Sequence, residues 1–192
     1  SIFEKDCFSI VLTGGQSVLS LYKILSQADS NWDKWHIYIS DERFLPVGHK
    51  DRNDQIINEI WLDDSTIPKK NVHFIKAELG LLEARVEYEN ILRKIGKFDI
   101  VLLSMGEDGH IASLFSNHLY SEEQNVVVEY NSPKLPKERI SMSYKRLNNS
   151  YYMFKLIIGK LKRKSFEMSK KNTDLPFLQV KGKYELLYIN LN

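Results

Sequence analysis

The sequence predicts an α/β fold, a mostly parallel sheet with helices on both faces. Two observations predict it. Short, nearly uninterrupted apolar runs bounded by turn residues recur through the first two thirds of the chain, and stretches with helical spacing lie between them. Strands that are apolar on both faces belong in a covered sheet, and helical crossovers make neighbouring strands parallel. At 192 residues and 43% hydrophobic, the chain is expected to form a single domain over 1–192 with a substantial core.

Taken in order, the strands are Phe8 to Leu12, His36 to Ile39, Val72 to Ile75 and Ile100 to Leu103. Helices are expected over Ser17 to Ser26, Asp54 to Trp61 and Leu79 to Ile95, the last with Leu82, Val86, Ile91 and Ile95 on one buried face. The final third changes character. Strands are expected at Val126 to Tyr130, Arg139 to Ser143, Tyr152 to Ile158 and Tyr184 to Ile189, with a helix from Leu161 to Ser169. Ser132 to Pro136 holds two prolines and reads as a loop, too short to link domains. The lysine run from Lys160 to Lys171 reads as a solvated helix face.

Charge is nearly balanced, 27 Lys plus Arg against 25 Asp plus Glu. The net +2 therefore gives no reason to expect nucleic acid or a membrane as partner, and any anion site has to be local. The single cysteine, Cys7, cannot make an internal disulfide, which fits a reducing, cytoplasmic setting. No run approaches the roughly 18 apolar residues of a membrane helix. Neither cysteine nor histidine clusters at metal-ligand spacing, and His36, His49, His73 and His118 are scattered, so no metal and no cofactor are expected. His73 reads as a strand residue.

Three motifs carry the chemistry. Leu12-Thr13-Gly14-Gly15-Gln16-Ser17 follows a strand and opens a helix; two glycines there permit a tight turn that aims backbone N–H groups at an anion. Such a turn also occurs with no ligand, with Ser17 as a simple cap. Ser40-Asp41-Glu42-Arg43-Phe44-Leu45-Pro46 follows the second strand, and loops after parallel strands share one rim. Arg43 would then stand beside the glycine turn. Met105-Gly106-Glu107-Asp108-Gly109-His110 follows the fourth strand and places a histidine at the same rim, near the start of the next helix. A neighbouring carboxylate, Asp108, can fix its tautomer and raise its basicity. One base, one cation and one anion cradle would thus collect at a single edge.

These motifs resemble those of the 6-phosphogluconolactonase family, in the superfamily shared with glucosamine-6-phosphate isomerases. The family's LSGGSTP loop is similar to LTGGQSV here. Its DERxVP segment followed by an asparagine is similar to Asp41, Glu42, Arg43 and Pro46 with Asn53 downstream, and its GMGxDGHTASLFP string to SMGEDGHIASLFS. Ser132-Pro133-Lys134 with Arg139 and Ser141, Gly159 with Lys162, and Leu175-Pro176 with Val180 extend the likeness from about Phe8 to Ile189. Ile111, Ser104 and Val18 depart from the usual threonine, glycine and proline. Members usually carry a helical segment ahead of the glycine loop, where only about ten residues stand here. A trimmed chain, or one cut from a fusion with another pentose phosphate pathway enzyme, is the expectation.

The resemblance implies a deaminase/lactonase-like three-layer fold without a metal, acting on 6-phosphoglucono-δ-lactone. It implies His110 as general base, Asp108 as its orienting partner, and a substrate and phosphate site of Gly14, Gly15, Gln16, Ser17, Asp41, Arg43, Lys162 and Arg139. Arg43 has two readings, phosphate clamp or partner of the developing oxyanion. Two other functions stay open on the same fold: a non-catalytic sugar-phosphate sensor, and an amino-sugar phosphate isomerase/deaminase. The latter continues after Ala112 with a Phe-Asn-Glu-Pro segment, where this chain has Ser113-Leu114-Phe115.

Overall fold

The computed structural model describes residues 6–171 and 174–192. Its main sheet has six strands in the order β4-β2-β1-β5-β8-β9: β1 (Phe8–Leu12), β2 (Trp35–Ile39), β4 (Val72–His73), β5 (Phe98–Ser104), β8 (Ser150–Ile158) and β9 (Tyr184–Asn190). Every pairing in it is parallel. The chain runs outward from β1 to β2 and β4, then returns to the other side of β1 at β5. That reversal makes the β1/β5 junction the topological switch point, where loops leave in opposite directions and open a crevice beyond the strand ends. The glycine turn follows β1 and the His110 loop follows β5, so both meet at this crevice.

A second, antiparallel sheet was not foreseen. Asp41–Arg43, read from sequence as loop, forms β3 and pairs with β7 (Arg139–Met142), which pairs in turn with β6 (Val126–Glu129). Arg43 lies opposite Arg139 in that register. Periodicity could not reveal β3, because three charged residues carry no apolar pattern. Its pairing partner lies almost a hundred residues away in the chain.

Two tyrosines secure the rim. Tyr22, in α1 (Leu19–Ser26), donates through its hydroxyl to Thr13 O at 2.6 Å and accepts from Thr13 N at 3.0 Å. Tyr88, in α3 (Leu81–Leu92), does the same for Ile39, at 2.9 and 3.0 Å. Each satisfies a backbone pair where a parallel ladder ends, and burial pushes both phenols far above their ordinary range. Tyr88 also explains a correction. The buried face of α3 is Ala84, Tyr88 and Leu92, while Leu82 and Val86 are 62% and 46% exposed. Anchoring Tyr88 to Ile39 turns the helix away from the face the leucine and valine would have chosen.

Other expectations shift at their ends. The helix expected at 17–26 begins as a 3-10 turn over Gln16–Val18, and the one at 54–61 runs as α2 (Asn53–Ile57) into a π-helical turn. The helix expected over 161–169 is a 3-10 turn, Lys160–Lys162, followed by α5 (Arg163–Ser169). Two short helices, α4 (Tyr144–Asn148) and α6 (Pro176–Gln179), were not anticipated. No helix begins directly after His110. Ala112 takes a φ of 50° and Ile111 bridges back to Leu114, which turns the chain rather than coiling it. No helix of the described residues is long and apolar enough to cross a membrane.

Candidate active site

A cleft of about 330 Å³ opens at the switch point. It is lined by the loops after β1, β2, β5 and β8 and by the 134–139 segment of the second sheet. Of the residues expected there, Gly14, Gly15, Gln16, Ser17, Asp41, Arg43, His110, Arg139 and Lys162 all line it. Asp108 stands behind His110, outside the lining.

His110 is held from three sides. Its Nδ1 makes a very short contact with Asp108 Oδ1. Its ring lies 4.7 Å from that of Phe115. On the third side a Cβ on Gly106 would fall 2.1 Å from ring atoms Cε1 and Nδ1, so only glycine lets the imidazole pack there. Gly109 adopts a φ of 86°, closing the loop so that Gly106 N reaches His110 O at 2.9 Å. Burial by itself would raise the Asp108 carboxyl, but the bond to His110, the imidazole's charge and nearby Lys134 outweigh it and hold the group at about 2. Asp108 is therefore an anion that accepts the Nδ1 proton, and in the neutral ring that tautomer leaves the lone pair on Nε2.

Lys162 is the lysine of its run that turns inward. Its Nζ donates to Ser17 Oγ at 2.7 Å and to Ser104 Oγ at 2.9 Å. Burial lowers the ammonium to about 8, against the pull of Glu107 and with a further push from Lys134. The tail of β5 thus spaces two side chains: Ser104 accepts from the Lys162 ammonium, and two residues on Gly106 seats the His110 imidazole. Two residues of extended chain span at most about 7 Å.

The remaining cations have mixed duties. Arg43 donates through Nη1 to Asp51 O at 2.6 Å. Arg139, buried, donates through Nε to Pro136 O at 3.0 Å and through Nη2 to Lys134 O and Leu135 O at 3.1 and 3.3 Å. Much of its guanidinium therefore shapes the 134–136 loop, and what it offers a ligand is smaller than its charge suggests. Asp41 accepts from Ser40 Oγ at 2.8 Å and Ser113 Oγ at 2.7 Å.

Sequence reasoning gave no role to Asn53, Ser104, Glu107, Lys134 or Leu135, which also line the cleft. Lys134 Nζ stands 3.6 Å from Glu107 Oε2, across the mouth. Polar residues in the motif strings were the available signal, yet spacing alone does not say which of them turn inward. Among the described residues no group of three or more His, Cys, Asp and Glu is arranged to hold a metal ion.

The family described as glucosamine-6-phosphate isomerases/6-phosphogluconolactonase matches residues 1–188. The chain belongs to this family. It is 34% identical over 188 residues to the 6-phosphogluconolactonase of Thermotoga maritima, covering 96% of this chain and 84% of that one. It is also 34% identical over 189 residues to 6-phosphogluconolactonase 3, chloroplastic, of Arabidopsis thaliana, where it covers 88% of this chain but only 58% of the relative's length. The crystal structure of the Thermotoga maritima enzyme superposes with a TM-score of 0.92 at 32% identity, over 98% of this chain and 87% of that one.

Proposed function

We propose that this family member hydrolyses 6-phosphoglucono-δ-lactone to 6-phosphogluconate, the reaction named for its Thermotoga and Arabidopsis relatives. The observation that carries the reading is the joint placement, in one cleft, of an Asp108-oriented His110 and a half-buried Lys162 that donates to Ser104 of the β5 tail. A pure binding protein needs the cation and the glycine turn but has no use for an oriented base.

In this reading His110 Nε2 takes a proton from water as its oxygen bonds to the lactone carbonyl carbon. The carbonyl oxygen becomes an oxyanion in a site bearing Arg43 and, behind it, Arg139. Collapse restores the carbonyl and breaks the bond to the ring oxygen, which receives the proton back from His110. The ring opens to a hydroxy acid. Backbone N–H groups of Gly14, Gly15 and Gln16, the Ser17 hydroxyl and the Lys162 ammonium hold the phosphate, so the reacting carbonyl is placed before attack. The single cysteine supports a reducing setting such as the cytoplasm.

The test is hydrolysis of freshly generated lactone, corrected for its spontaneous rate, by the wild type and His110→Ala, with glucosamine 6-phosphate in parallel. A rate reduced roughly 10²- to 10⁴-fold by the substitution, with 6-phosphogluconate still bound, is expected. Turnover of the amino sugar instead would move the protein to the isomerase branch. No rate above background from a folded, ligand-binding wild type would leave a sensor.

A further inference from the structure

Two side chains of opposite charge that line the cleft meet at its mouth: Lys134 Nζ stands 3.6 Å from Glu107 Oε2, and the two side chains are 41% and 53% exposed. That distance is too long for a hydrogen bond, and an exposed ion pair of this kind is weak. Their backbones, by contrast, are fixed. Lys134 O accepts from Nη2 of the buried Arg139 at 3.1 Å and from Ser132 Oγ at 2.8 Å, and Ser132 Oγ accepts from Lys134 N at 3.2 Å. Glu107 O accepts a very short hydrogen bond from Ser165 Oγ. The two loops are held in place, and what can reorient is the pair of side chains.

The pair also acts on the cation already placed in the site. Lys162, lowered chiefly by burial, is drawn up by Glu107 and pushed further down by Lys134, so both groups lie within electrostatic reach of its ammonium. Glu107 is thus an anion shared by two ammonium groups of one cleft. A phosphate monoester brings up to two negative charges and three acceptor oxygens, which makes it a stronger partner for Lys134 than a half-exposed carboxylate beyond hydrogen-bond distance. We propose that Glu107 is an internal competitor for the ligand's phosphate: binding transfers Lys134 from Glu107 to the phosphate, so that Lys134 is a second phosphate-binding ammonium and Glu107 sets the affinity. The inference rests on the phosphate placement of the lactonase reading and adds two residues to it.

The experiment is calorimetric binding of 6-phosphogluconate and of inorganic phosphate, at low ionic strength, to the wild type, Glu107→Gln, Lys134→Met and the double variant. Glu107→Gln is expected to tighten both ligands about fivefold, because the competitor is gone, and Lys134→Met to weaken both by a similar factor. In the Lys134→Met background the gain from Glu107→Gln should shrink below about twofold, since no ammonium remains there to be released. An undiminished gain would reduce Glu107 to plain repulsion of the ligand and overturns the transfer. So does a Glu107→Gln protein that binds no more tightly than wild type, or a Lys134→Met protein that binds as well. Both side chains are half-exposed, so the melting temperatures of the variants should stay close to wild type. The readout is binding, which separates this proposal from the lactonase reading: the same pattern in a protein without turnover would sustain the competition and remove the hydrolysis.

Discussion

Gly106→Ala isolates the placement of His110 from its chemistry. A Cβ at 106 would stand 2.1 Å from Cε1 and Nδ1 of the imidazole and 2.7 Å from Nε2. Carbon atoms in contact sit about 3.5 Å apart or more, so the ring must retreat by about 1.4 Å. The backbone itself does not object, since Gly106 is not among the glycines of positive φ. Misplacing a catalytic group by about 1 Å costs on the order of 10²-fold. We therefore expect kcat on fresh lactone to fall about 10²-fold, while 6-phosphogluconate affinity and the melting temperature change little. Gly96→Ala, where the added carbon meets nothing within 4 Å, is the control and should be silent. A kcat within about twofold of wild type for Gly106→Ala would refute the placement argument. His110→Ala in the same assay then tells whether the base assignment survives it.

Two further outcomes follow from titration. Lys162 is lowered to about 8 by burial, so its positive form fades as pH rises through that value, while a phosphate monoester has completed its second ionisation by about pH 7. Calorimetric affinity for 6-phosphogluconate should therefore weaken between pH 7 and 9, and Lys162→Met should bind weakly throughout without that slope; parallel curves for the two proteins would remove Lys162 from the phosphate site. His73 is held at about 4, first by burial and then by neighbouring His36, against about 6.5 in the unfolded chain. A depressed base favours the fold above its unfolded value, so this contribution is present above about pH 6.5 and is lost as pH falls toward 4. Melting temperatures of His73→Phe should fall less than wild type over that window, and identical slopes would assign the acid sensitivity elsewhere.

The motif loops were legible because their chemistry is local. A strand followed by Gly14-Gly15, another followed by Asp41 to Arg43, and a third followed by Gly106 to His110 put their side chains on one rim once the sheet is parallel, and it is. Lys162 was legible only through resemblance, since its spacing within a lysine run looks like any solvated helix. The inward-facing Asn53 and Ser104 were not assigned. Each acts through a contact made across the fold: Ser104 with Lys162, 58 positions on, and Asn53 with Asp41 and Gly14. Arg139 was read by its charge, and its carbonyl acceptors at 134–136 change what that charge can do.

The sequence by itself determined the fold class, the four strands that build the switch point, and the loops that carry His110 and Asp108. Apolar periodicity and short polar motifs are properties of consecutive residues, so they survive being read one after another. The tertiary structure decided the second sheet, the true buried face of α3, and which carbonyls occupy the Arg139 guanidinium. Those depend on which distant backbone and side-chain groups satisfy one another's hydrogen bonds. That matching is fixed only when the chain has closed on itself.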